Sequence, residues 1–273
     1  MTHWTLEDIA WDAFRADKVD PRILRVVKAA AMVELNGGDY ADYLCNIFGG
    51  DPEFQQVARA WAQEEVQHGQ ALGRWARLAD PDFDLEHAFA RFVAGYRPDV
   101  EVQQSVRGSR VGELVARCIV EVGTSSFYAS MGEASEEPVL AEVCRRIAAD
   151  ELRHYRLFYK ALKQYLEREK VGRLRRTFIA LSRIFESEDD ELAYAHYAAN
   201  AAAEETYERR RHADFMLGTA YSHYRRKHVD RVVAMTLKAA GLDPQASWAP
   251  WASKLAFRVL KRRSARALAA GAA

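Results

Sequence analysis

The chain has 273 residues, of which 49% are hydrophobic and 29% are charged, the balance of a soluble globular protein with a large core. Lysine plus arginine and aspartate plus glutamate both total 39, so the formal charge is zero and no global field indicates a nucleic-acid partner. Three scattered cysteines, Cys45, Cys118 and Cys144, exclude a disulfide framework and a four-thiolate metal site.

The start of the chain lacks the cationic residues and the apolar stretch of a signal peptide. No apolar run approaches the length of a transmembrane helix. Together with the low cysteine content, these features predict a cytoplasmic protein without a transmembrane segment.

Apolar residues recur at helical spacing along most of the chain. Three Asp-Pro steps, at Asp20, Asp51 and Asp80, each precede such a pattern, and Asp can cap the free amides of a helix that has Pro in its first turn. Helices are predicted over 22–47, 52–78, 83–95, 110–133, 137–168, 189–216, 218–240 and 248–270. Alternating strand patterns are missing from the sequence, so the predicted class is all-α.

A Glu-x-x-His pair occurs twice, as Glu65-Val-Gln-His68 and as Glu151-Leu-Arg-His154, each within a long predicted helix. At a spacing of three, the carboxylate and the imidazole leave the same face of a helix and can reach one metal ion. A single pair of this kind is common by chance on a solvated helix. Two pairs on two helices indicate the two halves of a dinuclear site.

The other two long helices each carry one glutamate in apolar sequence, Glu34 and Glu121. A buried unpaired carboxylate is costly, and coordination to a cation offsets that cost. Four glutamates and two histidines over four helices are typical of ferritin-like proteins with a dinuclear carboxylate centre. This oxygen-rich set suits two iron ions, with manganese or a mixed pair as alternatives, and zinc also accepts such ligands.

Two segments resemble the soluble acyl-acyl carrier protein desaturases. The segment Arg59-Ala-Trp-Ala-Gln-Glu-Glu-Val-Gln-His-Gly69 is similar to the family's Arg-Ala-Trp-x-x-Glu-Glu-Asn-Arg-His-Gly helix. Ile147-Ala-Ala-Asp-Glu-Leu-Arg-His154 is similar to its Ile-Ala-Ala-Asp-Glu-Lys-Arg-His helix. The resemblance covers roughly residues 20–165 and implies a ferritin-like four-helix bundle over 1–170, followed by a C-terminal helical appendage over 171–273 that packs on it.

The resemblance also implies roles for single residues. It assigns as metal ligands Glu34, Glu65, His68, Glu121, Glu151 and His154. Thr124 matches a hydroxyl beside the oxygen-binding face and is the predicted catalytic residue. Outside the ligands, Asp150 and Glu64 are candidates to accept the second ring proton of an iron-bound histidine, with Asp150 paired to His68. Trp61, one turn before Glu65, is interpreted either as an electron relay or as core packing.

These implications predict a di-iron, O2-dependent oxidoreductase, an acyl-ACP desaturase of fatty acid metabolism that inserts a double bond by hydrogen abstraction. The sequence has no flavin, nicotinamide or iron–sulfur motif, so a ferredoxin-like external protein is the expected electron donor. Acyl carrier protein is the expected substrate partner and a homodimer the expected assembly. The alternatives are a di-iron oxygenase of another small metabolite, and an iron-storage or peroxide-scavenging protein of the ferritin or rubrerythrin type.

Two features of the C-terminal part have other interpretations. His196, Glu204, Glu205 and His212 lie too far apart in sequence to form a compact ligand pair, so we expect surface or interhelical hydrogen bonds there. The basic stretch 254–263 is amphipathic. It could contact an acidic carrier, anionic lipid or another subunit, or it could be a solvated helix end.

Overall fold

The computed structural model describes residues 4–96, 99–186, 190–202 and 204–270. Within these ranges the regular structure is helical and no strand is present, which confirms the predicted all-α class. Three short 3-10 turns, at Leu6–Asp8, Trp11–Ala13 and Ala16–Lys18, precede the first long helix. The α-helices are α1 Pro21–Leu35, α2 Gly37–Ile47, α3 Pro52–Ala79, α4 Leu85–Gly95, α5 Arg110–Ala134, α6 Pro138–Arg168, α7 Arg173–Glu186, α8 Asp190–Asn200, α9 Arg209–Ser222, α10 Arg226–Ala240 and α11 Ala249–Ala270.

Two of the three Asp-Pro steps begin helices as predicted. The carboxylates of Asp20 and Asp51 accept hydrogen bonds from backbone amides in the first turns of α1 and α3. Asp80 differs, because it ends α3 and its carboxylate accepts a hydrogen bond from Lys28 Nζ at 2.5 Å. The next helix begins four residues later, where Asp84 is the N-cap. Asp80 therefore pairs with a buried lysine instead of capping the next helix.

The predicted helix over 22–47 is wrong as one continuous element. It divides at Asn36, whose amide bonds the carbonyl of Val33 instead of continuing the α-helical ladder. Gly37 then begins α2, at a point where its backbone lies against Ala62 of α3. The chain therefore changes direction immediately after Glu34, because a second helix backbone approaches there.

The predicted boundaries after residue 188 are also corrected. Residues 189 and 203 of the predicted helix 189–216 lie outside the described residues. In the rest of it, α8 ends at Asn200 and α9 begins at Arg209, with irregular chain at 201–202 and 204–208. A further break at 223–225 separates α9 from α10. Alanine-rich sequence at 198–203 hides the first of these breaks, because alanine favours helix.

Contacts of α3 with α1 and with α6 show that these neighbouring helices of the central bundle are antiparallel. Lys28 of α1 meets Asp80 at the end of α3, whereas Leu35 of α1 lies against Gly69 in the middle of α3, so α1 and α3 run in opposite directions. Trp75 Nε1 of α3 donates to Glu137 at the start of α6 at 2.7 Å. At the other end, Tyr165 of α6 contacts Asp51 before α3.

The α5–α6 pair is also antiparallel, with Ser125 bonding Ala148 near the middle of both helices and Val111 bonding Glu169 near the end of α6. Because α3 and α5 are both antiparallel to α6, they run parallel to each other. The chain must return along the length of the bundle between them, and α4 lies in that connection. One long crossover is the topology of ferritin-like folds.

The helices after residue 170 pack on this bundle, with α8 against α1 and α10 against α5. Tyr155 OH of α6 donates to the carbonyl of Met235 in α10 at 2.8 Å. The division into 1–170 and 171–273 stays a prediction. Across the described ranges, every helix is too short or too polar to cross a membrane.

The core has two apolar clusters along the bundle axis. One includes Met32, Trp75 and Met131, and the other includes Phe48 and Phe158. The predicted site residues lie between these two clusters along the helices. Apolar layers therefore close the site on both sides and exclude bulk water.

Candidate metal centre

The six predicted ligands come from four different helices and are all buried. Glu34 is in the last turn of α1, and Glu121 is in the middle of α5. The two Glu-x-x-His pairs lie on the facing sides of α3 and α6, and the ring centroids of His68 and His154 are 5.8 Å apart. The structure thus brings all six residues together, although they are up to 120 positions apart in sequence.

The six side chains form two overlapping groups, and in each group the possible ligand atoms lie within 4.8 Å of one another. One group is Glu34, Glu65, His68 and Glu151, and the other is Glu65, Glu121, Glu151 and His154. Glu65 and Glu151 belong to both. The arrangement could hold two cations, with the two shared carboxylates between them.

Several buried atoms that have no hydrogen-bond partner among the described residues face the space between the helices. They include Nδ1 of both histidines and carboxylate oxygens of Glu34, Glu65, Glu121 and Glu151. His154 Nδ1 lies 2.9 Å from Glu65 Oε1 without hydrogen-bond geometry. Buried polar atoms are almost always paired, so a cluster of unpaired nitrogen and oxygen atoms fits a cation.

The opposite ring nitrogen of each histidine has a carboxylate partner. His68 Nε2 lies 3.2 Å from Asp150 Oδ2, and His154 Nε2 lies 2.7 Å from Glu64 Oε2. Arg153 forms ion pairs with both Asp150 and Glu64. Each Nε2 is thus directed to a carboxylate that can accept its proton, and each Nδ1 faces the site, the orientation that a metal-bound imidazole needs.

Without metal, this concentration of charge shifts the pKa values of the cluster. Burial raises the pKa of Glu121 to about 8. Burial, together with the charges of Glu151 and Glu34, raises the pKa of Glu65 well above its ordinary value. Burial lowers the pKa of His68, but contacts with the surrounding carboxylates outweigh it and raise that pKa well above its ordinary value. The metal-free cluster therefore retains protons that cations would displace.

Thr124 lies beside Glu151, one of the two shared carboxylates. Its Oγ1 is 2.7 Å from Glu151 Oε2 and also within hydrogen-bond distance of the backbone carbonyls of Val120 and Glu121. The hydroxyl can therefore turn its single proton toward Glu151 or toward its own helix. Its role as the catalytic residue stays a prediction.

Trp61 packs in the core beside His154, and its role as an electron relay stays a prediction. Its ring meets the His154 ring edge-on at 6.5 Å, and it also packs on Phe158 in the core. Its indole nitrogen has no hydrogen-bond partner among the described residues. The ring is thus part of the apolar wall beside His154.

Two residues that the sequence pattern did not indicate, Trp4 and Tyr128, also contact the cluster. Trp4 Nε1 donates to Asp150 Oδ2 at 2.6 Å, and its ring stacks on His68 with centroids 6.1 Å apart. Tyr128 OH donates to Glu34 Oε1. Trp4 lies 146 positions from Asp150 and precedes the first long helix, so no local pattern links it to the site. Tyr128 lies seven residues after Glu121, two turns along the same face of α5, which was a usable signal.

Two glycines allow the helix backbones to approach closely at the site. A Cβ on Gly69, next to His68, would lie 2.6 Å from the backbone nitrogen of Leu35, next to Glu34. A Cβ on Gly37 would lie 2.9 Å from both the Ala62 carbonyl oxygen and Glu65 Cβ. These contacts place Glu34 within reach of His68 and Glu65.

The second histidine pair does not form a comparable cluster. His196 and His212 lie on neighbouring helices with their Nδ1 atoms 2.8 Å apart, which is an interhelical hydrogen bond of the expected kind. His212 Nε2 lies 3.5 Å from Glu205. Among the described residues, only the two groups at the bundle centre bring three or more ligand-type side chains together. Cys45, Cys118 and Cys144 are free and buried.

Fold and site define a helical bundle with a central carboxylate–histidine cluster. The family model for fatty acid desaturases matches residues 48–241, most of the chain. The chain therefore belongs to the fatty acid desaturase family. No curated protein matches it significantly. Five of the six predicted ligands lie within the matched range, and Glu34 precedes it.

Proposed function

We propose that the protein is a di-iron, O2-dependent desaturase of the acyl-acyl carrier protein type, with Glu34, Glu65, His68, Glu121, Glu151 and His154 as the iron ligands. The observation that carries this proposal is the pair of overlapping ligand groups that share Glu65 and Glu151. Family membership supports the substrate class, because it indicates a desaturase rather than an iron-storage protein. Manganese or a mixed pair would fit the same donor atoms.

Iron bound here would supply the reduction of dioxygen coupled to removal of two hydrogens from the acyl chain. The overall reaction converts a CH2–CH2 unit, O2, two electrons and two protons into a CH=CH unit and two waters. The two electrons come from outside the chain, and a ferredoxin-like protein is the proposed donor. A homodimer and a cytoplasmic location belong to the same proposal.

The surrounding residues would orient the ligands and move protons. Asp150 and Glu64 hold the two imidazoles through their Nε2 atoms, and Arg153 holds both carboxylates in place. The Thr124 hydroxyl can pass its proton to Glu151 Oε2 and recover one from the substrate side. The chain of contacts from Trp4 through Asp150 to His68 connects the N-terminal segment with the cluster and is the proposed route for electron entry.

Product analysis tests the proposal. The purified protein is incubated with saturated acyl groups on acyl carrier protein, a reducing system and O2, and the products are analysed by gas chromatography and mass spectrometry. We expect a monounsaturated product that requires both O2 and reductant. Glu151→Gln should abolish it, whereas Glu167→Gln, the same change at an exposed position of α6, should not.

Two other outcomes would contradict the desaturase proposal. A hydroxylated small molecule as the only product would indicate an oxygenase of another metabolite. Iron oxidation and mineral formation without any organic product would indicate a storage protein.

A further inference from the structure

The C-terminal helix α11 exposes a row of large apolar side chains. Trp251, Leu255 and Val259 of α11 form this row together with Trp248, which directly precedes the helix, and we call the four residues the α11 stripe. Trp251 is 75% exposed and Leu255 is 56% exposed. Single exposed apolar residues are ordinary on protein surfaces, but four on one element are a patch.

Helical geometry places the three members of the stripe that lie within α11 on one face. Trp251, Leu255 and Val259 are four residues apart, so they leave the helix within about a quarter of its circumference. The opposite face carries the buried residues Ser253, Ser264 and Ala267. That face packs on α9, where Ser264 Oγ bonds the Gly218 carbonyl, and on α10, where Ser253 contacts Asp230. The stripe therefore points away from the rest of the molecule.

The same segment is strongly cationic. From residue 244 to the end of the chain the sequence has six basic residues and no Asp or Glu: Lys254, Arg258, Lys261, Arg262, Arg263 and Arg266. Arg258 and Arg262 fall on the same helical face as the stripe, and Lys254 borders it. Within the ranges that the structure describes, no carboxylate forms an ion pair with any of these three. The rest of the chain carries the compensating negative charge, since the total is zero.

The charge and the shape of the face together indicate its partner. A second copy of the chain, placed symmetrically, would bring the same cations against themselves and be repelled. The exposed face of α11 is convex and has tryptophans at one end. A deformable surface can accept such a face without a groove of matching shape. Exposed tryptophan and leucine with interspersed arginine and lysine are the features of helices that lie in the headgroup region of anionic bilayers.

We propose that α11 binds the surface of anionic membranes, with the α11 stripe in the headgroup region and Lys254, Arg258 and Arg262 on the lipid phosphates. The helix would lie along the surface and would not cross it. This surface lies outside the range matched by the desaturase family, which ends at residue 241. It therefore adds a location for the enzyme that family membership does not imply.

Vesicle sedimentation with the full-length protein tests the proposal. The vesicles are phosphatidylcholine alone, or phosphatidylcholine with equimolar phosphatidylglycerol. We expect binding to the anionic vesicles and little to the neutral ones. Each cation near such a surface contributes about fivefold to binding, so the triple variant Lys254→Gln, Arg258→Gln, Arg262→Gln should bind about 100-fold more weakly. The double variant Trp251→Ser, Leu255→Ser should also lose binding, because it removes the inserted side chains.

Two matched variants serve as controls. Arg145→Gln, Arg156→Gln, Lys160→Gln removes three exposed charges from α6, and Val106→Ser removes an apolar side chain that is 78% exposed elsewhere. Both should bind like the unmodified protein, and far-ultraviolet circular dichroism would show that all variants are folded. No turnover is needed, so metal-free protein should give the same result and an inactive enzyme would not affect it.

Three outcomes would overturn the proposal. The first is no binding to anionic vesicles, and the second is equal loss of binding in the α6 control. The third is normal binding in the α11 variants. If the α11 triple variant instead loses affinity for an acidic acyl carrier protein while vesicles are ignored, the face is a carrier site and the membrane proposal is wrong.

Discussion

Gly69 offers the most direct test of how the fold builds the metal centre. An alanine at this position would place its Cβ 2.6 Å from the Leu35 backbone nitrogen and 2.7 Å from Leu35 Cγ. Because one of these atoms is backbone, the end of α1 must move, and a side-chain rotation cannot relieve the contact. Overpacking of this kind costs about 1–3 kcal/mol.

The displacement would also carry Glu34 away from His68, since Glu34 precedes Leu35 in the last turn of α1. We therefore expect Gly69→Ala to weaken the cation position formed by Glu34 and His68 more than the position formed by Glu121 and His154. Urea denaturation of metal-free protein, followed by circular dichroism, measures the stability change. Iron titration then measures the occupancy of the two positions.

Gly38→Ala is the matched control. Gly38 is also helical, but a Cβ there would meet nothing within 4 Å, so alanine should be neutral or should stabilise the helix by up to about 1 kcal/mol. If Gly69→Ala were as stable as Gly38→Ala and bound iron equally at both positions, the close approach of α1 and α3 would not determine the site.

Three further predictions follow from single contacts. Asp150→Asn keeps the shape but removes the carboxylate beside His68 Nε2, so iron affinity should fall about 10–100-fold in a competition with a chelator, and an unchanged affinity would contradict the orienting role. Thr124→Val removes the hydroxyl that is 2.7 Å from Glu151, so product formation should fall by about 100-fold or more while iron content is retained; unchanged turnover would exclude a proton-delivery role. Burial, with the nearby charges of Arg25, His212 and Arg211, lowers the pKa of His196 to about 2, below the ordinary 6.5 of an unfolded chain. The unfolded state therefore binds the extra proton as the pH falls below 6.5, and the wild type should lose about 1 kcal/mol of stability between pH 7 and pH 5.5 that His196→Gln does not lose; parallel urea midpoints for the two proteins would refute this.

The local chemistry of the sequence accounts for most of the helices. Asp20 and Asp51 cap α1 and α3 as predicted, because an aspartate before proline accepts hydrogen bonds from the free amides of the first turn. This interaction is local and does not depend on tertiary contacts. The break at Asn36 was missed although the sequence carries a turn signal there, Asn36-Gly37-Gly38. What the sequence does not show is the approach of the α3 backbone at Gly37, which accompanies the break.

In the candidate site too, residues set by local sequence were predictable, whereas residues brought in by tertiary packing were not. The two Glu-x-x-His pairs were predictable, because a spacing of three residues places both side chains on the same face of a helix. The isolated glutamates of α1 and α5 were predictable because a carboxylate in apolar sequence needs a partner. Trp4 was not, since its contact with Asp150 spans 146 positions and depends on how the N-terminal segment folds over the bundle.

Iron content of the purified protein, measured with Mössbauer spectroscopy, is the most direct test of the metal centre. Glu151 belongs to both ligand groups, so Glu151→Gln should disrupt both positions, while Glu167→Gln on the same helix should not. The proposal predicts about two irons per chain in a coupled site for wild type and Glu167→Gln, with loss of the coupled signal in Glu151→Gln. A wild-type protein that holds no stoichiometric metal after iron reconstitution would contradict it.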